Sequence, residues 1–140
     1  MDRPLIVYLH GFCSSPASWK SRLLGEEMAR RGLGAQFVCP PLSPVPDEAV
    51  ASVEHLIGQA SGPVVLVGSS LGGHYANHLA EKHDLRAALI NPAVTAALDL
   101  GLFVGDHANF HSGEHFTFSA AHAAQLRAQV RRPTPDRWSA

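Results

Sequence analysis

The pentapeptide Gly68-Ser69-Ser70-Leu71-Gly72 follows the apolar run Val64-Val65-Leu66-Val67 and opens a helical pattern, and it restricts this chain more than any other segment. A strand that turns at once into a helix crowds the turn and forces its central residue into a strained backbone. Glycines two positions to either side remove the Cβ atoms that would obstruct it. This is the spacing of a G-x-S-x-G elbow, and it selects Ser70, because centring the motif on Ser69 would require glycine where Val67 and Leu71 stand. Such a turn lifts the Ser70 hydroxyl clear of a sheet, as a nucleophile requires. The simpler alternative is a Ser/Gly-rich turn, against which the strand before it and the helix after it both weigh.

The rest of the chain repeats the alternation. Leu5 to Leu9 is a continuous apolar run bounded by Pro4 and Gly11, the pattern of a strand buried on both faces in the middle of a parallel sheet. Ser15-Pro16 supplies an N-cap and a first helical proline, followed by Trp19, Leu23, Leu24 and Met28 at helical spacing and Gly32 as the stop. Ala35 to Cys39 reads as a second strand and Pro40 to Pro46 as a rigid extended loop. A helix beginning near Asp47 carries Val50, Val53, Leu56 and Ile57 as its buried stripe. Leu71, Tyr75, Ala76 and Leu79 mark the inner face of the helix after the elbow, and Ala87 to Ile90 is a fourth short strand. Residues 93 to 118 are irregular, with Gly101, Gly105 and Gly113 breaking any long helix, and suit a lid-like insertion near a site. Ser119 caps a last helix with Ala123, Leu126 and Val130 on one face. Together these segments specify a single α/β domain over residues 1 to 140. It is a mainly parallel sheet of about four strands flanked by helices and joined by right-handed crossovers.

Bulk properties narrow the partners. A chain of 140 residues, 46% of them hydrophobic, can bury one core. A net charge of -1 with no basic run leaves no footprint for nucleic acid or an anionic membrane surface. Leu5 to Leu9 is too short for a membrane span or a secretory signal, so the expected location is cytoplasmic and Cys13 and Cys39 are expected to be reduced. Cys13 lies near the presumed site, but no activating motif surrounds it.

Acyl transfer by serine needs a nucleophile, a base, and donors for the oxyanion that develops on the attacked carbonyl. The amide after the nucleophile points into such a site, so Leu71 N–H is one donor, reinforced by the positive end of its helix. His10-Gly11-Phe12 leaves the first strand, and its glycine lets the backbone approach a substrate while the Phe12 amide is aimed at the same oxygen. His10 is then a structural loop residue. A nucleotide-binding reading of the glycine-rich turn is weaker, because Gly68 to Gly73 lacks the lysine and loop length of a P-loop.

These residues resemble the α/β-hydrolase fold and, more narrowly, the small YqiA-like esterases of bacteria. Tyr8 to Phe12 with Ser14-Ser15-Pro16 resembles the family's oxyanion loop, and Gly68 to Gly73 with Tyr75-Ala76 resembles its elbow. Asn91-Pro92-Ala93-Val94 resembles a strand-end motif, and Gly105, Asn109, Gly113 and Phe116 follow the spacing of a glycine-asparagine insertion. The resemblance spans residues 4 to 130. It implies hydrolysis of small acyl esters or thioesters through an acyl-Ser70 intermediate, with the Phe12 and Leu71 amides binding the oxyanion and no cofactor or metal. It also implies a triad ordered Ser, then Asp or Glu, then His. The family's later segments have no counterpart after Arg132, so the chain is expected to be incomplete at its C-terminus. Ala87 to Ile90 would then form an open sheet edge that invites a second copy. The alternative function is a catalytically incomplete hydrolase-fold fragment or a non-enzymatic binding module.

The nine histidines raise the question of a substitute base or a metal site. His107, His111 and His115 recur at four-residue intervals beside Asp106 and Glu114, so a helix would put them on one face. Gly105 and Gly113 argue against that helix, and polar residues on a loop are the expected reading. His74 lies one turn after Ser70 on a helix that runs away from the elbow, so its imidazole should miss the hydroxyl. His55, His78, His83 and His122 read as helix-surface or structural residues, and Asp99 and Asp106 are the acids closest after the fourth strand.

Overall fold

Four apolar runs pair in parallel to make the central sheet of the computed structural model, which describes residues 3–91, 104–109 and 112–129. These are β1 (Leu5–Leu9), β2 (Phe37–Val38), β3 (Val64–Ser69) and β4 (Arg86–Ile90), in the order β2-β1-β3-β4. β1 lies between β2 and β3, with Tyr8 opposite Val67 and Leu9 opposite Gly68. Val7, Tyr8 and Leu9 are all buried, as a strand covered on both faces requires.

Helices α2 (Pro46–Gln59), α3 (Leu71–His83) and α4 (Ala120–Ala128) supply the core on one face. Val53, Leu79 and Leu126 pack there against Val7, Leu9 and Leu66. The expected stripe of α3, Leu71, Tyr75, Ala76 and Leu79, is buried throughout. Ser119 does cap α4, and its side chain accepts from His122 N–H while the His122 ring accepts from Ser119 N–H. Of the expected α4 face, Ala123 and Leu126 are buried, and Val130 lies outside the described residues.

Three expectations change. Helix α1 (Trp19–Arg30) starts from Ser18, not Ser15, because the Ser15 hydroxyl is spent on Ala17 N–H in a preceding turn. Trp19 and Leu23 on α1 are 67% and 48% exposed. The second strand shrinks to Phe37–Val38 behind a 3-10 turn at Gly34–Gln36. The segment expected to be irregular contains an antiparallel hairpin, β5 (Gly105–Ala108) with β6 (His115–Phe118). Phe118 carries it into the core, where it is fully buried. No helix among the described residues is long and apolar enough to cross a membrane.

Candidate active site

The elbow is built by contact between backbones. Ser70 has φ 56° and ψ -118°, a conformation that costs a residue with a Cβ on the order of 1–3 kcal/mol and persists only where the surroundings enforce it. A Cβ on Gly68 would strike the Gly72 carbonyl and lie 2.7 Å from Gly73 N. One on Gly72 would strike the Leu9 carbonyl and lie 2.7 Å from the His10 carbonyl oxygen. The two glycines therefore let α3 begin directly against the ends of β3 and β1. Ser70 N–H donates to the Ile90 carbonyl at 3.0 Å, which ties the elbow to the end of β4 as well.

The two adjacent serines have different environments. Ser69 is buried on the opposite side of the strand, where Lys20 Nζ donates to its hydroxyl at 3.3 Å. Tyr8 also bonds it: burial pushes the Tyr8 phenol above its ordinary pKa, and the Ser69 hydrogen bond partly offsets that rise. Ser70 is exposed, and its side chain makes no capping bond to α3. Leu71 is the first residue of α3, so its N–H has no carbonyl partner within the helix and is available at the positive helix end.

The exit of β1 faces this turn. A Cβ on Gly11 would lie 3.4 Å from Ser70 Cβ and 3.8 Å from its Oγ, so the backbone at Gly11 passes alongside the hydroxyl. Ser14 N–H donates to the Gly11 carbonyl, closing a tight turn in which Cys13 has φ 59°. His10 holds the turn from below. Its Nε2 accepts from Leu42 N–H at 3.1 Å, so the proton sits on Nδ1, 3.1 Å from the Gly11 carbonyl. His10 is thereby a neutral strut between this turn and the proline-rich loop. Burial pushes the Cys13 thiol above its ordinary pKa, the opposite of what a reactive thiolate needs, and Cys13 and Cys39 are both free.

A cleft of about 290 Å³ opens beside the turn. Phe12, Leu71, Tyr75 and Phe116 give it apolar walls, the proline-rich loop contributes Leu42 and Pro44, and Ser14, Asn109 and Glu114 add polar groups. Ser70 is not part of the lining, but Gly11 and Leu71, its neighbours in space and in sequence, are. Gly11 beside Ser70, and Phe12 and Leu71 in the cleft wall, thus lie at one end of the sheet.

The histidines are dispersed. In the hairpin register His107 stands opposite Phe116 and His115 opposite Ala108, so the two rings project from opposite faces. His111 and Asp99 lie outside the described residues. His74 Nε2–H donates to Gln129 Oε1 at 3.2 Å, and burial lowers the pKa of this ring, with the Gln129 bond a smaller opposing effect. Among the described residues no imidazole hydrogen-bonds the Ser70 hydroxyl. Sequence reasoning missed Asn109 as a contact of the β1 exit. Its Nδ2 donates to the Ser14 carbonyl at 2.7 Å, across 95 positions of sequence.

The model of an uncharacterised protein family, UPF0227, matches residues 5–134. The fold is similar to that of a protein described as a hydrolase of the α/β superfamily from Xanthomonas campestris pv. campestris, at 30% identity and a TM-score of 0.51. That similarity covers 64% of this chain and 59% of the other. It is also similar to α/β hydrolase domain-containing protein 10 from mouse, at 19% identity and a TM-score of 0.62 over 93% of this chain and 63% of that one. A third similar structure, from work on two metagenome-derived lipolytic enzymes, is 16% identical with a TM-score of 0.57 over 94% of this chain and 69% of its own. The chain thus spans less than two thirds of the length of the first two.

Proposed function

The chain belongs to the UPF0227 family and to the α/β-hydrolase superfamily, and from that premise we propose that it is a serine hydrolase acting on small acyl esters or thioesters. The observation that carries this reading is the Ser70 backbone, held at φ 56° between two glycines that contact backbone, with the hydroxyl exposed beside Gly11. In the proposed reaction Ser70 Oγ attacks the acyl carbonyl and its proton passes to a base. Charge on the carbonyl oxygen is received by the Leu71 and Phe12 amides, and the alcohol or thiol leaves with a proton. Water then attacks the acyl-Ser70 ester and regenerates the hydroxyl. The cleft of about 290 Å³, walled by Phe12, Leu71, Tyr75 and Phe116, suits a small acyl or leaving group.

A second reading, a pocket that binds without turnover, is favoured by one observation: His10 and His74 are committed to Leu42 and Gln129, not to Ser70. A serine without a base loses most of its rate and retains mainly oxyanion-hole catalysis.

Intact mass after exposure to a serine-reactive fluorophosphonate separates the two. Stoichiometric labelling that disappears in Ser70→Ala is expected for the hydrolase. A folded protein that stays unlabelled supports the binding module.

A further inference from the structure

We propose that the β5–β6 hairpin is a clamp that fixes the turn at Gly11–Ser14, with Asn109 as its positioning residue. The catalytic consequence rests on the hydrolase reading above; the clamp itself does not.

The turn needs an external restraint. Cys13 sits at φ 59°, where a residue with a Cβ is disfavoured, and the turn is closed by a 3.2 Å hydrogen bond from Ser14 N–H to the Gly11 carbonyl. A turn that carries a strained residue relaxes unless its flanks are held.

The hairpin holds the turn at two points. The Phe12 ring is caged edge-on by three rings of the hairpin. His107 is 5.1 Å away at 77°, Phe118 5.5 Å at 82° and Phe116 5.7 Å at 86°. Two residues later, Asn109 Nδ2 donates to the Ser14 carbonyl at 2.7 Å. Asn109 is itself fixed. Its Oδ1 accepts from Ser112 N–H, its N–H donates to the Glu114 carbonyl, and its carbonyl accepts from Gly113 N–H. The far end of the hairpin is anchored by Phe118, fully buried in the core. The ring before the strained residue and the carbonyl after it are thus both tied to a rigid element, which sets the direction of Phe12 N–H. On the hydrolase reading that N–H is an oxyanion donor, so the hairpin determines how well the transition state is met.

The test uses the full chain and Asn109→Asp, which removes the donor to Ser14 but keeps an acceptor for Ser112 N–H. Phe116→Leu is the second variant, because Phe116 is only partly buried. Amide hydrogen exchange over residues 11–14 and fluorophosphonate inactivation of Ser70 are measured together, the latter resolved into reversible affinity and maximal rate. Exchange faster by about tenfold and a maximal rate lower by about 10- to 100-fold, with melting temperature little changed, are expected. Unchanged exchange in both variants overturns the clamp. Faster exchange with an unchanged rate overturns its link to the oxyanion. Wild-type protein that is never labelled overturns the hydrolase reading and the catalytic consequence with it, while exchange still decides whether the hairpin fixes the turn.

Discussion

Gly72 lies so close to the end of β1 that a Cβ on it would clash with the Leu9 carbonyl. The first turn of α3 is seated on the end of the central strand by that contact. Gly72→Ala is expected to destabilise the fold by about 3 kcal/mol, because neither backbone can give way without shifting a strand end. Gly58, in α2 with open space around it, provides the control: Gly58→Ala is expected to stabilise by about 0.5–1 kcal/mol. Urea unfolding midpoints of the two variants on either side of wild type would bear this out, and equal midpoints would refute it.

The backbone of Ser70 makes a second, opposite prediction. Replacing it with alanine removes the hydroxyl but keeps the Cβ, and so keeps the strain at φ 56°. Replacing it with glycine releases about 1–3 kcal/mol of strain against an unfolded-state cost of about 0.4–1 kcal/mol. Ser70→Gly is therefore expected to be more stable than Ser70→Ala by about 1 kcal/mol, with labelling lost in both. Calorimetry on the pair measures it, and identical melting temperatures would mean that the elbow holds no strain.

Buried His74 links stability to pH. Burial holds its folded pKa below the ordinary value of 6.5. As pH falls through 6.5 the unfolded chain takes up a proton that the folded chain resists. The stability contributed by neutral His74 is complete above 6.5 and is lost progressively as pH falls from there toward the folded value. His74→Gln keeps a donor for Gln129 Oε1 and cannot titrate. Its melting temperature is expected to decline less steeply than wild type between pH 7 and 5. Parallel curves would show that His74 does not titrate across this transition.

What could be read from the sequence was what local chemistry controls. The glycine spacing around Ser70, the alternation of Val64 to Val67 with the face of α3, and the Ser119 cap each depend on neighbours within a few residues. The hairpin escaped because Gly105-Asp106-His107-Ala108 has none of the β-branched or aromatic residues of a strand. It forms because Phe116 and Phe118 find the Phe12 ring about a hundred positions earlier. The start of α1 differs from the expected Ser15 for a related reason: the Ser15 hydroxyl is taken by Ala17 N–H, and Ser18 caps the helix. The bond from Asn109 to Ser14 has no local signal at all.

Strand β4 bounds the described sheet on one side, pairing only with β3, and its residues Arg86 and Ala88 are exposed. Among the described residues no strand pairs with the outer side of β4, and an edge of this kind recruits another strand, so association with a second copy through β4 is expected. The consequence reaches the candidate site, because the Ile90 carbonyl at the end of this strand receives Ser70 N–H. A lysine on the edge opposes such pairing by forcing a charge into the new interface. Light scattering after size exclusion is expected to give a dimer or larger species for wild type and a shift toward monomer for Ala88→Lys. A clean wild-type monomer at high concentration would remove the interface. A variant that dissociates and also labels more slowly at Ser70 would show that pairing at β4 steadies the elbow.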